Sequence, residues 1–359
     1  MKKSLIALAA VAASGAAMAQ SSVTLFGVVD TGVTYIDGKD NWSGMHSGAN
    51  NTSRIGFRGT EDLGGGLKAN FWLEAGINTD AGDGKSGGAS GTGLEFKRRS
   101  TVGLQGGFGE IRLGRELTAA YLAVSRYDVF GDVGIGGTKA FSTGATAGNY
   151  GSSVRKNNMV TYVSPSFSGF KAQLNYAFGE STQKTWERGA YYGLGLTYDN
   201  GPLSVGFGAE RQNNTLLGFA ANASSAADGV DSRLTTYGLG ASYNFGVVKV
   251  GGFYRDAKSV NLAGASFKHK SYVLGVSAPV GAAGEVKAQY ARYEVKPGSL
   301  KADQISLGYV HSLSKRTAAY GTYSYIKNKN NGALGYTLGS GGLSNGKQHG
   351  IQVGIRHAF

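Results

Sequence analysis

The residues with the clearest chemical potential in this sequence are arginines on segments where apolar and polar residues alternate. Arg54 and Arg58 alternate with Ile55 and Phe57. Successive side chains of a β-strand point to opposite faces, so the apolar side chains share one face and the two guanidinium groups share the other. A guanidinium group keeps its charge at neutral pH and pairs with carboxylates and phosphates in a bidentate manner. This polar face is therefore suited to attracting anions.

The same parity argument places three further arginines on polar faces. Arg99 has the parity opposite to Val102, and Arg112 has the parity opposite to Leu113. Arg155 comes just before a predicted strand over residues 157–163, where its side chain would meet a long neighbouring connection. We predict that the five arginines form a basic wall on one side of the folded chain.

Acidic residues that would oppose this wall lie at the start of, or within, the longest polar connection, residues 117–157. They are Glu116, Asp128 and Asp132. Arginines facing these carboxylates across a narrow passage would create a transverse field that favours polar and charged solutes. In the alternative interpretation, some of these arginines line only a wide vestibule of that passage, or they bind lipopolysaccharide phosphates near its rim.

The elements that position these side chains are predicted to be strands throughout. No segment after residue 19 keeps the spacing of an amphipathic helix over three turns, whereas alternation with a period of two recurs along the chain. From Phe170 to Phe178 every second residue is apolar or aromatic, with Lys171 and Gln173 between them. Such segments have about ten residues, which suits a tilted crossing of a bilayer, whereas strands of globular proteins usually have about five or six.

The connections between these segments alternate in length. Short turns of Gly, Asn, Asp and Pro are predicted at Asp62–Gly66, Gly106–Gly109, Ser164–Gly169, Asp199–Gly201, Asn244–Gly246, Pro279–Gly284 and Ser312–Arg316. Longer polar segments separate them, at residues 37–51, 80–96, 117–157, 180–188, 213–231, 257–268, 295–300 and 328–346. These fifteen connections predict sixteen strands, and long loops opposite short turns are typical of bacterial outer-membrane barrels. An even number lets the first strand pair with the last, so that no edge is exposed to lipid.

The amino-terminal residues predict export from the cytoplasm. Lys2 and Lys3 precede an apolar run, and Ala17-Met18-Ala19 matches a signal-peptidase site, so residues 1–19 are expected to be a cleaved signal peptide. A membrane anchor is the alternative, but the apolar run is too short to span a bilayer. Residues 20–359 are expected to form one transmembrane domain.

Composition narrows the class further. The chain has 60 Gly, 4 Pro and no Cys, which excludes disulfides and thiolate metal sites. Removal of the two signal lysines leaves 34 basic and 23 acidic residues, a formal charge of +11. A basic balance can indicate nucleic-acid binding, but in an exported barrel we interpret it as a bias of the lumen toward anions, with no nucleic-acid partner.

Motifs for catalysis or for cofactors are weak in this sequence. The segment Gly82–Gly87 matches a dinucleotide-binding glycine pattern but has no following helix. The five histidines show no metal-ligand spacing, and there is no nucleophile elbow. We expect neither a cofactor nor a metal, and no enzymatic activity.

Five segments resemble the general porins of the neisserial and related betaproteobacterial type. They are Ser22–Asp30, Ser53–Gly64, Leu113–Arg115, Tyr127–Gly131 and the terminal Arg356–Phe359. The resemblance implies an all-β, sixteen-stranded antiparallel transmembrane β-barrel in the outer membrane, assembled as a homotrimer. It also implies that the third external loop folds into the pore, and that the barrel assembly machinery recognises Phe359.

Pattern and resemblance together predict a water-filled channel for passive diffusion of small hydrophilic solutes and ions, with a preference for anions. Its other expected contacts are outer-membrane lipids and lipopolysaccharide. A substrate-specific channel for a sugar or an organic acid is the first alternative. It would need a row of inward aromatic residues, and Trp72 is the one clear candidate by parity. An outer-membrane barrel enzyme and a secreted β-sandwich adhesin are further alternatives.

Neutral substitution of three wall arginines tests the parity assignment. The variant Arg54→Gln/Arg58→Gln/Arg99→Gln should have a reduced anion preference, because three positive charges leave the lumen. The measurement is the reversal potential of the reconstituted protein under a salt gradient. A reversal potential equal to that of the unchanged protein would rule out the assignment.

Overall fold

The computed structural model describes residues 22–38, 41–84, 93–138, 154–180, 189–213, 233–260, 266–332, 334–336 and 346–359. Within these ranges the chain forms eighteen strands and one helix. The strands are β1 (Ser22–Asp37), β2 (Trp42–Ser47), β3 (Arg54–Gly64), β4 (Leu67–Asn78), β5 (Asp83–Gly84), β6 (Arg99–Gly106), β7 (Gly109–Leu117), β8 (Arg155–Val163), β9 (Phe170–Ala177), β10 (Tyr191–Asn200), β11 (Leu203–Asn213), β12 (Arg233–Asn244), β13 (Lys249–Val260), β14 (Ser266–Val280), β15 (Gly284–Lys296), β16 (Leu300–Ser312), β17 (Thr317–Lys329) and β18 (Lys347–Ala358). The predicted signal peptide lies outside the described residues.

The strands close into a barrel with sixteen positions around its circumference, each occupied by one strand or by the two parts of an interrupted strand. Each position is called a stave. Every neighbouring pair is antiparallel, and β1 closes the sheet by pairing with β18 from Val28 opposite Ala358 to Asp37 opposite His349. β2 and β3 both pair with β1 and form the two parts of one stave. β5 is a two-residue strand beside the end of β4. The predicted sixteen-stranded antiparallel barrel is confirmed.

All seven short turns lie where the sequence predicts them, but several of the predicted loops are partly strand. β2 occupies much of the predicted loop at residues 37–51, and β13 and β14 extend to Val260 and from Ser266 into the predicted loop at 257–268. The outward positions of these extensions carry Lys258 and Lys268, which are exposed. Polar composition was interpreted as loop there, although the strands continue with polar side chains on both faces.

The two faces of the barrel differ as the alternation predicts. Outward apolar side chains are exposed, for example Val23 at 68% and Val353 at 53%. Inward polar side chains are buried, among them Gln304 and Gln352. This apolar-outside and polar-inside arrangement is that of a barrel surrounded by lipid. None of the helices in the described part of the chain has the length and apolar character needed to cross a membrane.

The helix α1 (Ala119–Ser125) begins the long connection after β7 and lies inside the barrel. Thr118 caps it, because its hydroxyl accepts a hydrogen bond from the backbone N–H of Tyr121 at 3.3 Å. Beyond α1 the backbone continues along the inner wall. The N–H of Val129 donates to Gln289 on β15 at 3.1 Å, and that of Ile135 donates to Gln352 on β18 at 3.3 Å. The expected insertion of this loop into the pore is confirmed for residues 118–138.

A track of inward glycines provides the space for the inserted loop. A Cβ atom at Gly208 on β11 would lie 2.5 Å from the carbonyl oxygen of Ala120, and one at Gly206 would collide with that of Ala123. The track continues with Gly195, Gly238, Gly240, Gly275, Gly308 and Gly350. Helix and wall approach so closely because the wall carries no side chains at these positions. This close packing explains part of the high glycine content.

Filling the track should detach the loop from the wall. Gly208→Val introduces a side chain into the backbone of α1, and such overpacking costs about 1–3 kcal/mol. We expect an altered and noisier single-channel conductance in planar bilayers. The matched control is Gly321→Val on β17, because a Cβ atom there approaches only Val353 Cγ1, at 3.8 Å. Equal conductance traces for both variants and the unchanged protein would contradict the packing argument.

Candidate pore constriction

Four adjacent staves, β3, β4, β6 and β7, bring the predicted arginines to one region of the inner wall. Cross-strand pairing places Arg58 on β3 opposite Trp72 on β4, and Glu74 on β4 opposite Arg99 on β6. On β7, Arg112 is 9% exposed, whereas Ile111 beside it is 43% exposed and faces outward. The inward orientation predicted from parity for Arg54, Arg58, Arg99 and Arg112 is therefore what the structure contains.

Glu74 on β4 is the centre of the first charged group. Its Oε1 atom lies 2.5 Å from Arg98 Nε and 3.7 Å from Arg54 Nη1. Its Oε2 atom accepts a hydrogen bond from Trp72 Nε1 at 3.2 Å. Sequence reasoning did not include Glu74 among the predicted site residues. It missed Arg98, which precedes β6 and has no strand parity to reveal it.

Arg155, which follows the inserted loop in the chain, also joins this group. It is the first residue of β8, two residues earlier than predicted, and its Nε atom donates to the backbone oxygen of Arg98 at 2.9 Å. Three guanidinium groups, those of Arg54, Arg98 and Arg155, thus cluster around the single carboxylate of Glu74. The group keeps an excess of positive charge.

The second charged group is built on β7. Arg112 Nη2 lies 2.8 Å from Glu116 Oε2, and Arg112 Nη1 lies 2.9 Å from Glu110 Oε2. Arg99 Nη2 is more distant from Glu116, at 3.9 Å. The assignment of Glu116 to the loop was wrong: β7 extends to Leu117, so Glu116 is a strand residue with the parity of Arg112. Carboxylates of the wall itself, rather than of the loop, contact these arginines.

The two remaining predicted acids hold the inserted loop together. Asp128 accepts hydrogen bonds from the N–H groups of Phe130 at 2.8 Å and Thr138 at 2.7 Å. Asp132 accepts from the hydroxyl of Tyr121 at 2.9 Å. Burial and the adjacent Asp132 carboxylate raise the pKa of Tyr121 well above its ordinary value, so the phenol stays protonated and keeps donating. These acids give the loop its shape.

The inner wall also carries aromatic residues that parity reasoning overlooked. Phe26 on β1 packs edge-to-face on Trp72, with ring centroids 5.1 Å apart. The expectation that Trp72 is the one inward aromatic residue was wrong, because further rings are buried at inward positions, namely Tyr191, Phe253, Tyr293 and Tyr320. Burial removes these four from contact with solutes. Within the described ranges, no group of three or more His, Cys, Asp or Glu residues is arranged to hold a metal ion.

A closed antiparallel barrel with an apolar exterior, a loop packed inside it and a charged inner wall defines a transmembrane diffusion channel. The comparisons with known proteins agree. The model of the family described as Gram-negative porin matches residues 5–331, so the chain belongs to this family. It is an outer-membrane porin, which forms a water-filled channel for passive diffusion of small hydrophilic solutes.

Full-length relatives support the assignment. Outer membrane porin protein 32 of Delftia acidovorans is 48% identical over 371 residues, covering 100% of both chains. Major outer membrane protein P.IB of Neisseria meningitidis serogroup B is 28% identical over 381 residues, again covering 100% of both. A solved structure, an anion-selective porin from Comamonas acidovorans, superposes with a TM-score of 0.83 at 45% identity, covering 95% of this chain and 100% of that one. The resemblance to neisserial and betaproteobacterial porins is confirmed.

Removal of the Glu74 carboxylate should increase the positive potential of the first charged group. In Glu74→Gln the arginines around it lose their shared counter-charge, so the anion-to-cation permeability ratio should rise by about twofold or more, as expected for a ring of fixed charge. The reversal potential under a salt gradient measures this ratio. Glu61→Gln is the control, since Glu61 is exposed on the same stave pair and pairs with the outward-facing Ala69. A ratio that falls would show that Glu74 does not oppose the cations.

Proposed function

We propose that this porin prefers small anions. The observation that carries the proposal is an excess of positive charge on the inner wall around Glu74 and Glu116. Six guanidinium groups and three carboxylates lie together there: Arg54, Arg58, Arg98, Arg99, Arg112 and Arg155 with Glu74, Glu110 and Glu116. The anion selectivity stated for the Comamonas porin of known structure supports the same proposal.

The proposed mechanism is electrostatic filtering without tight binding. Charged side chains in a narrow passage with low-dielectric walls concentrate counter-ions, so anions enter more often than cations of the same size. The carboxylates reduce the depth of the potential well. A passing anion would therefore exchange its hydration for guanidinium hydrogen bonds and still leave quickly, because conduction requires weak, multi-site binding.

We propose three further properties of the assembled protein. Residues 1–19 are removed on export, the mature chain forms a homotrimer in contact with outer-membrane lipids and lipopolysaccharide, and the protein has no enzymatic activity. Phe359 is proposed as the signal for the barrel assembly machinery. Its backbone is paired with Gly27 at 3.0 and 3.1 Å, and the residue remains 41% exposed, so the terminal residue stays accessible at the seam of the barrel.

The experiment is bilayer recording of the protein purified in detergent. Stepwise conductance increases are expected on insertion, and the reversal potential under a potassium chloride gradient should have the sign of chloride preference. Heat-modifiable migration on gels would report the trimer. Stepwise conductance with a reversal potential of the opposite sign would contradict the proposed anion preference while leaving the channel intact.

A further inference from the structure

Two wall arginines are held by an aromatic ring. Arg58 Cζ lies 5.3 Å from the ring centroid of Trp72 and 5.4 Å from that of Phe26. Arg99 Cζ lies 4.6 Å from the ring centroid of Trp72. These distances are within the range of cation–π attraction, so one indole ring holds two guanidinium groups of like charge close together.

The aromatic contact differs electrostatically from the contacts made by the other arginines. Arg98 and Arg112 are held by carboxylates at 2.5 and 2.8 Å, and each carboxylate cancels a positive charge. Among the described residues, Arg58 has no ion pair, and the one recorded for Arg99 is long, at 3.9 Å. A ring fixes a guanidinium group through its quadrupole and adds no negative charge. Arg58 therefore presents its full charge to the lumen.

Arg58, Trp72 and Arg99 line a pocket of about 400 Å³. Ser22, Thr24, Thr60, Glu110 and Arg112 also line it. Arg58 lies four residues beyond Arg54 on β3, toward the short turn at Gly65. Short turns of outer-membrane barrels lie on the periplasmic side, so the pocket lies on the periplasmic side of the group around Glu74. Ser22, Thr24 and Thr60 line the same pocket as the two arginines, and a hydroxyl group can donate a hydrogen bond to an oxyanion.

We propose that Arg58 and Arg99 form a second anion-binding site, on the periplasmic side of the Glu74 group, and that Trp72 is its positioning residue. The ligand class is a small oxyanion such as a carboxylate or phosphate, which can accept several hydrogen bonds from guanidinium groups. The inference deepens the proposed anion preference, because it names where an anion pauses and what keeps the site charged. Loss of the ring would leave the formal charge of the lumen unchanged and would release both guanidinium groups from their fixed positions.

The test is block of single-channel chloride current by added succinate, repeated with inorganic phosphate. The half-blocking concentration is measured for the unchanged protein and for Trp72→Leu, Trp72→Phe and Arg58→Gln. We expect Trp72→Leu to raise it about threefold or more, in line with the strength of a cation–π contact, and Arg58→Gln to raise it further. Trp72→Phe keeps an aromatic face and should stay close to the unchanged protein.

The control is Phe57→Leu, which removes an aromatic ring from the same region but on the outward face, where Phe57 pairs with the exposed Leu25. Its half-blocking concentration should not change. Heat-modifiable migration of every variant shows whether the barrel has folded. Equal block in Trp72→Leu and Phe57→Leu, or no block of the unchanged protein by either anion, would overturn the proposed site. A different outcome is that the unchanged protein prefers cations while its block by the anion still depends on the Trp72 ring. That outcome would refute the proposed anion preference and leave the proposed site in place.

Discussion

The constraint on which the rest of the structure depends is that the hydrocarbon interior of a membrane offers no hydrogen-bond partner to the backbone. Every N–H and C=O group that crosses it must pair within the protein, and a strand-built solution must close on itself. Pairing of β1 with β18 achieves this closure. Closure forces the alternation of apolar and polar side chains, because each stave has one face toward lipid and one toward water. The inward orientation of each wall arginine follows from the same requirement.

A closed barrel of sixteen staves leaves a wide interior, and the inserted loop makes this protein's interior narrow. The loop is held by backbone contact with glycines on the wall and by amide side chains such as Gln289, Gln304 and Gln352. Hydrogen bonds within the loop, to Asp128 above all, keep its shape. The acids in the loop thus serve its conformation, while the charged groups around Glu74 and Glu116 belong to the wall.

That wall holds its arginines in two ways, and the difference bears on selectivity. Glu74, Glu110 and Glu116 hold arginines at the cost of cancelling charge, whereas Trp72 holds Arg58 and Arg99 while their charge remains. Geometry and net charge can therefore be adjusted separately: carboxylates set the depth of the potential, and the aromatic ring sets the position of the guanidinium groups. Neither role requires a large conformational change.

The sequence by itself determined the class of fold, the seven turns and the inward orientation of four arginines, because these depend on local periodicity and on turn residues that act over a few positions. It did not predict the partners of those arginines. Glu74 and Arg98 meet across two staves, and Phe26 on β1 contacts Trp72 on β4, so both contacts depend on strand register. Glu116 proved to be a strand residue because β7 is longer than predicted. The path of the loop depends likewise on glycines up to 215 residues away along the chain, such as Gly350 against the loop at Ile135. Only the closed barrel brings such residues together, since pairing between distant staves is a property of the whole sheet.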